Sequence, residues 1–240
     1  MAPENTLPAL RHAVEIGADA VEFDVHRSRD GAIVLIHDAT LERTTNGRGA
    51  VAEHTLSQLE RLDAGYHFTP DGGRTYPFRG RGVRIPTIDR AFEAIGDLPA
   101  IVEVKSIEAG AALAERLRGR PESERVALGG FERAFVEPAA PLVRWRSATE
   151  EELGRFVLLG KIGLGRPFAP DAHALMVPEK HKRIRVVSRG LIRRSHALGM
   201  GVYVWTVNRP DDMRRLLAWG VDGLITDYPA IARRVLEEAD

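Results

Sequence analysis

Residues 201–239, GVYVWTVNRPDDMRRLLAWGVDGLITDYPAIARRVLEEA, decide the fold. GVYVWTVN and VDGLITD are short, apolar and β-branched, as strands are. PDDMRRLLAWG and PAIARRVLEEA each open on a proline that suits a first helical turn, and the first of them stops at a glycine. The stretch therefore reads strand, helix, strand, helix. Working back from it, similar strand-like segments recur as DAVEFDV, AIVLIHD, AIVEVK, RVALGGF, RFVLLG and ALMVPE, with helical patterns between many of them. That alternation marks a parallel sheet with crossover helices. Helices are predicted near 109–118, 190–199, 210–219 and 229–238. Another is predicted at the start, where Leu7, Leu10 and Val14 lie one or two turns apart, Thr6 stands as N-cap, Pro8 falls in the first turn and Gly17 stops the pattern. A single domain over residues 1–240 is expected, since α/β barrels run to about 200–250 residues. The rhythm favours a TIM (β/α)8 barrel over an open sheet.

One segment interrupts the rhythm. Residues 40–86 are rich in Gly, Arg, Thr and Pro, with only TLSQLERLD patterned as helix. Long loops after barrel strands often build the active site, so this insertion is a candidate for function. Within it, RGRGVR reads as a solvated loop.

Bulk properties narrow the chemistry. The chain carries 34 basic and 34 acidic side chains, so no global positive field recruits nucleic acid or an anionic membrane. It has no Cys, which removes disulfides and thiolate ligands and leaves oxygen or imidazole for any metal. There is no apolar run of about 18 residues and no signal-like apolar core at the start, so no stable membrane insertion is expected and a cytoplasmic location is the default.

In VEFDVHRSRDGAIVLIHD, residues 21–38, strand alternation sends Glu22 and Asp24 to one face and Val21, Phe23 and Val25 to the other. Two acids on the inner face of a barrel strand cost desolvation unless a cation or hydrogen bonds compensate. The partner is either a divalent metal or, at a strand end, arginines and backbone amides. A second strand, AIVEVK, places Glu103 and Lys105 on one face among apolar neighbours, and such residues are seldom buried without partners. Glu22, Asp24 and Glu103 together would make an all-oxygen pocket suited to Mg²⁺ or Ca²⁺. Lys105 would then meet a phosphate oxygen. His37, ending IVLIHD, has the chemistry of a proton carrier near neutrality, although a histidine at a strand end also serves structure alone.

These residues, in their order and spacing, resemble the glycerophosphodiester phosphodiesterases, TIM-barrel enzymes related to phosphatidylinositol-specific phospholipase C. The matching stretches are PENTLPALRHAVEIGADAVEFDVHRSRDG, IVLIHDATLERTTNGRG, LDAG, PTI, IVEVK, VYVWTVN and GVDGLITDYP. The resemblance implies that Glu22, Asp24 and Glu103 are the metal ligands, His37 the catalytic acid or base, and Lys105 the phosphate contact. It further implies that Trp205 and Phe131 wall the substrate pocket, that 40–86 caps the alcohol part of the substrate, and that the ligand is a small glycerophosphodiester.

One departure accompanies it. The family's barrel opens with a strand ending in His-Arg-Gly, shortly before P-E-N-T, whereas this sequence opens at Met1-Ala2-Pro3. The barrel is therefore expected to have a missing or incomplete first strand, without that strand's histidine and arginine. His26 is expected to be a structural or rim histidine rather than a replacement. Three activities stay open: a metal-dependent hydrolase, a binding module that keeps the metal and phosphate pocket, and a phospholipase-D-like lyase. The last is disfavoured because such relatives are typically secreted and disulfide-bonded.

Overall fold

The computed structural model describes residues 1–161, 169–182 and 184–238. They form two compact units, residues 1–144 and residues 145–240.

The first unit begins with α1 (Leu7–Ile16) and β1 (Val21–Arg27), followed by β2 (Ile33–Leu35), α2 (Leu56–Leu59), α3 (Ile88–Ile95), β3 (Ala100–Val104), α4 (Ile107–Leu117), β4 (Val126–Gly129) and α5 (Arg133–Val136). Helix α1 ends where expected, at Gly17 in the left-handed conformation (φ 77°), which glycine adopts without the Cβ penalty. Its start differs from expectation: the Thr6 hydroxyl donates to the Pro3 carbonyl at 2.6 Å and makes no helix cap. Leu10 is buried, but Val14 is 40% exposed, so the apolar face of α1 is narrower than its spacing suggests.

In this unit the strands run in the order β2, β1, β3, β4. β1, β3 and β4 are parallel, with Asp24 beside Glu103 and Glu103 beside Gly129. β2 departs from the expected parallel pattern and pairs antiparallel with β1, Val25 opposite Leu35. The five residues between them are too few for a crossover; Ser28 N–H donates to the Ala32 carbonyl at 2.8 Å and Gly31 takes φ 94°, closing a hairpin. Phe23, Val25, Val102, Leu113 and Leu128 belong to one core between this sheet and its helices. Val21, Phe23 and Val25 of β1 thus enter this core, and Glu22 and Asp24 share the opposite face.

Residues 40–86 are more ordered than a solvated loop. Val34, Ile36, Leu41, Val51, Leu59, Val83 and Ile85 pack as a second, smaller core. Thr55 and Gln58 form a reciprocal capping box that starts α2. Buried Asp63, in LDAG, accepts from Gly65 N–H at 2.9 Å and Gly80 N–H at 2.7 Å, tying the two ends of the loop between them.

The second unit comprises β5 (Trp145–Arg146), α6 (Glu150–Lys161), β6 (Ala174–Pro178), β7 (Lys180–His181), β8 (Ile184–Arg185), α7 (Arg189–His196), β9 (Gly201–Trp205), α8 (Pro210–Leu217), β10 (Gly223–Leu224) and α9 (Pro229–Glu237). Strands β10, β9 and β6 form a parallel sheet in that order. Leu175, Val177, Val202, Val204, Met213 and Leu216 are central in its core. The closing strand–helix–strand–helix unit is as read from the sequence. RFVLLG is not a strand: residues 155–160 lie within α6. The Thr149 N–H donates to Glu152 at 2.9 Å and three glutamates occupy the first turn, so capping and dipole effects favour helix over the strand-like apolar run Phe156–Val157–Leu158–Leu159. Among the described residues no helix is long and apolar enough to cross a membrane.

Candidate active site

The site grows from the polar face of β1. Register sets Asp24 beside Glu103, and Glu22, two residues earlier, shares Asp24's face. Ligand oxygens of Glu22, Asp24 and Glu103 lie within 4.8 Å of one another. Asp24 is buried, Glu103 half-buried and Glu22 the most open of the three. Lys105, just past the end of β3, brings its ammonium to 2.7 Å from Asp24 and 2.5 Å from Glu103. Burial pulls the Lys105 pKa down, but the carboxylates of Asp24 and Glu103 outweigh it and hold the ammonium above its ordinary value.

Asp24 is aimed by Asn5. The Asn5 amide donates to Asp24 Oδ2 at 2.8 Å, and its carbonyl oxygen accepts from the Asp24 N–H at 3.0 Å. Asn5 takes φ 53°, a left-handed conformation that asparagine tolerates better than most residues. With Oδ2 on Asn5 and Oδ1 on Lys105, the carboxylate has one fixed orientation.

His37 follows β2 and is exposed. Its Nδ1 lies 2.7 Å from Asp38 Oδ1. Arg43 donates to Asp38 through Nε at 2.6 Å and Nη2 at 3.1 Å, and to both oxygens of Glu4 at 2.9 and 2.6 Å. The Arg43 guanidinium holds the Asp38 carboxyl down at about 2, against the opposing effect of burial. Asp38 is thus ionised, Nδ1 of His37 carries the proton, and Nε2 is the nitrogen presented for proton exchange. His26 is buried, and its Nε2–H donates to the His37 carbonyl at 3.2 Å. Burial lowers its pKa, so it braces the backbone under His37 as a neutral ring.

Phe131 stands at the mouth, 44% exposed, with its ring centroid 5.7 Å from the Lys105 ammonium. Gly129 leaves space next to Glu103: a Cβ there would lie 3.8 Å from the Glu103 Cβ and Cγ. Six of the seven residues singled out from the sequence, Glu22, Asp24, His37, Glu103, Lys105 and Phe131, belong to the first unit. Trp205 belongs to the second, where it ends β9 and lines a pocket of about 490 Å³ with Glu179, Arg185 and Arg215. Asn5, Asp38, Arg43 and Glu4 escaped the sequence reading. Asn5 sat in PENT without an assigned role, and Asp38 adjoined His37. Arg43 had no local signal, because Glu4 is 39 residues away.

Three carboxylates against a single ammonium leave the cluster negative. An all-oxygen donor set of that charge fits a hard divalent cation. With the Lys105 ammonium against it, it is equipment suited to an enzyme acting on phosphate esters.

Comparison with known proteins agrees. Residues 1–231 match the Glycerophosphoryl diester phosphodiesterase family, and the chain belongs to that family of hydrolases. A glycerophosphodiester phosphodiesterase of Caldanaerobacter subterraneus subsp. tengcongensis is 34% identical across 95% of this chain and 89% of its own length. The crystal structure of a glycerophosphoryl diester phosphodiesterase domain from Mycobacterium tuberculosis aligns with TM-score 0.85 at 23% identity, over 97% of this chain and 94% of that one. This likeness shows the fold, the α/β TIM-barrel class. A phosphodiesterase of Oleispira antarctica, solved in complex with the product sn-glycerol-3-phosphate, is 26% identical with TM-score 0.77, over 98% and 92% of the two chains.

Proposed function

We propose that this chain hydrolyses glycerophosphodiesters to glycerol 3-phosphate and an alcohol, with a divalent cation held by Glu22, Asp24 and Glu103. The observation that carries the reading is the carboxylate triad closed to within 4.8 Å beside Lys105. The relative solved with sn-glycerol-3-phosphate supports the substrate class, and the family match across both units supports one functional domain over 1–240.

Mg²⁺ or Ca²⁺ bound there would polarise the phosphoryl oxygens. Lys105 then places a fixed positive charge where negative charge develops. His37 moves a proton at Nε2, to or from the oxygen that leaves or attacks, while Asp38 keeps its other nitrogen protonated. Asn5 keeps Asp24 turned toward the triad. Phe131 offers an apolar edge beside Lys105 for the alcohol part of the substrate; for Trp205 the same role rests on family resemblance. The insertion at 40–86, with its own core, is read as the cap over that part.

The test is release of glycerol 3-phosphate from glycerophosphocholine by the chain and by His37→Ala. A fall of about 10²- to 10⁴-fold in kcat is expected for loss of an acid–base group. Turnover indifferent to His37 would contradict the assignment. Saturable binding of metal and substrate without any turnover would replace the hydrolase with the binding module.

A further inference from the structure

Arg81 and Arg84 of RGRGVR do not simply face solvent. They line a groove of about 470 Å³ with Arg11 of α1 and Arg90 of α3. Its apolar lining comes from Leu7 and Pro8 in the first turn of α1 and from Val83 and Ile85 at the end of the insertion. On α1, Leu7 and Arg11 are one turn apart and so share a face. All of these residues belong to the first unit.

The charge in the groove is unbalanced. Arg43, Arg116, Arg146 and Arg215 are each tied to carboxylates, whereas among the described residues Arg11, Arg81, Arg84 and Arg90 form no ion pair. Arg84 is held by the backbone instead, donating to the carbonyls of Arg61 and Leu62 at 2.9 and 3.2 Å. Glu60 is the one acidic residue of the lining. A chain with equal numbers of basic and acidic side chains thus concentrates four guanidinium groups round one concavity. Guanidinium groups pair with oxyanions through forked N–H donors, and a phosphate head can accept from several of them at once. A bare phosphate would leave the apolar lining unused, and a cavity of this size holds one small molecule.

We propose that the groove binds an anionic amphiphile, a phosphate-headed molecule with one alkyl chain, its head on the arginines and its chain on Leu7, Pro8, Val83 and Ile85. This goes beyond the hydrolytic reading and does not depend on it. The test is calorimetry of the full chain with dodecyl phosphate below its micelle concentration, with inorganic phosphate, and with phosphatidylglycerol vesicles. The comparison variant is Arg11→Ser/Arg90→Ser, two exposed helix positions outside both the catalytic cluster and the insertion, whose unchanged far-UV spectrum and urea midpoint report an intact fold. Saturable binding of dodecyl phosphate, weakened at least about tenfold in the variant and at least about tenfold tighter than inorganic phosphate, is the expected result. Equal affinity in the variant, equal affinity for inorganic phosphate, no saturable binding, or capture by vesicles alone would each overturn it.

Discussion

At the scale of single residues, the site depends on groups that hold other groups. Asn5 touches Asp24 through both its amide and its carbonyl, and partners that orient a metal-binding carboxylate typically contribute about 10- to 100-fold in metal affinity or activity. Asn5→Ala should therefore weaken Mg²⁺ or Ca²⁺ binding by roughly that factor in calorimetry. Affinity equal to that of the parent chain would show that Asp24 needs no such support. Asp38 gives a second prediction, through pH. Its pKa is lowered in the fold to about 2, below the ordinary value of about 3.9. Its contribution to stability is consequently full above about pH 4 and fades as pH falls from about 4 to about 2. Urea unfolding of the parent chain and Asp38→Asn should differ at pH 6 and converge near pH 2; a gap that persists at pH 2 would contradict the ion pair with Arg43. The metal-type carboxylates, Lys105 and His37 were legible in the sequence because alternation and spacing expose them. The residues that orient them were not, because a hydrogen bond such as Arg43 to Glu4 joins positions with no shared local pattern.

At the scale of elements, the insertion offers a direct test. Asp63 is buried and satisfies the N–H groups of Gly65 and Gly80. Asp63→Ala would strand both donors, at a cost of about 2 to 4 kcal/mol. A lower urea midpoint with an unchanged m-value is expected, and a midpoint within error of the parent would mean that water replaces the carboxylate. The sequence marked LDAG and the boundaries of the insertion but not its core, since Val34, Leu41, Val51 and Ile85 are scattered over some fifty positions. Two elements were misread for definable reasons. RFVLLG has strand composition, yet Thr149 and Glu152 cap it as helix. IVLIHD is a strand, yet the short Ser28–Ala32 link makes it antiparallel.

At the scale of the whole molecule, the alternation of short apolar strands and amphipathic helices favoured the barrel class over an open sheet, because each strand must bury one face under a helix and the pattern repeats. The site follows from that architecture: the same register that buries Val25 and Val102 in the core brings Asp24 and Glu103 together on the other face. The central claim is that this carboxylate cluster makes the chain a metal-dependent phosphodiester hydrolase. The most direct measurement is glycerol 3-phosphate release from glycerophosphocholine by the parent chain and by Glu103→Gln, each in EDTA and after Mg²⁺ or Ca²⁺ is restored. The account predicts turnover that disappears in EDTA, returns with the cation, and falls by at least about tenfold in the variant even at saturating substrate. Turnover that survives EDTA and is unchanged by Glu103→Gln would contradict it.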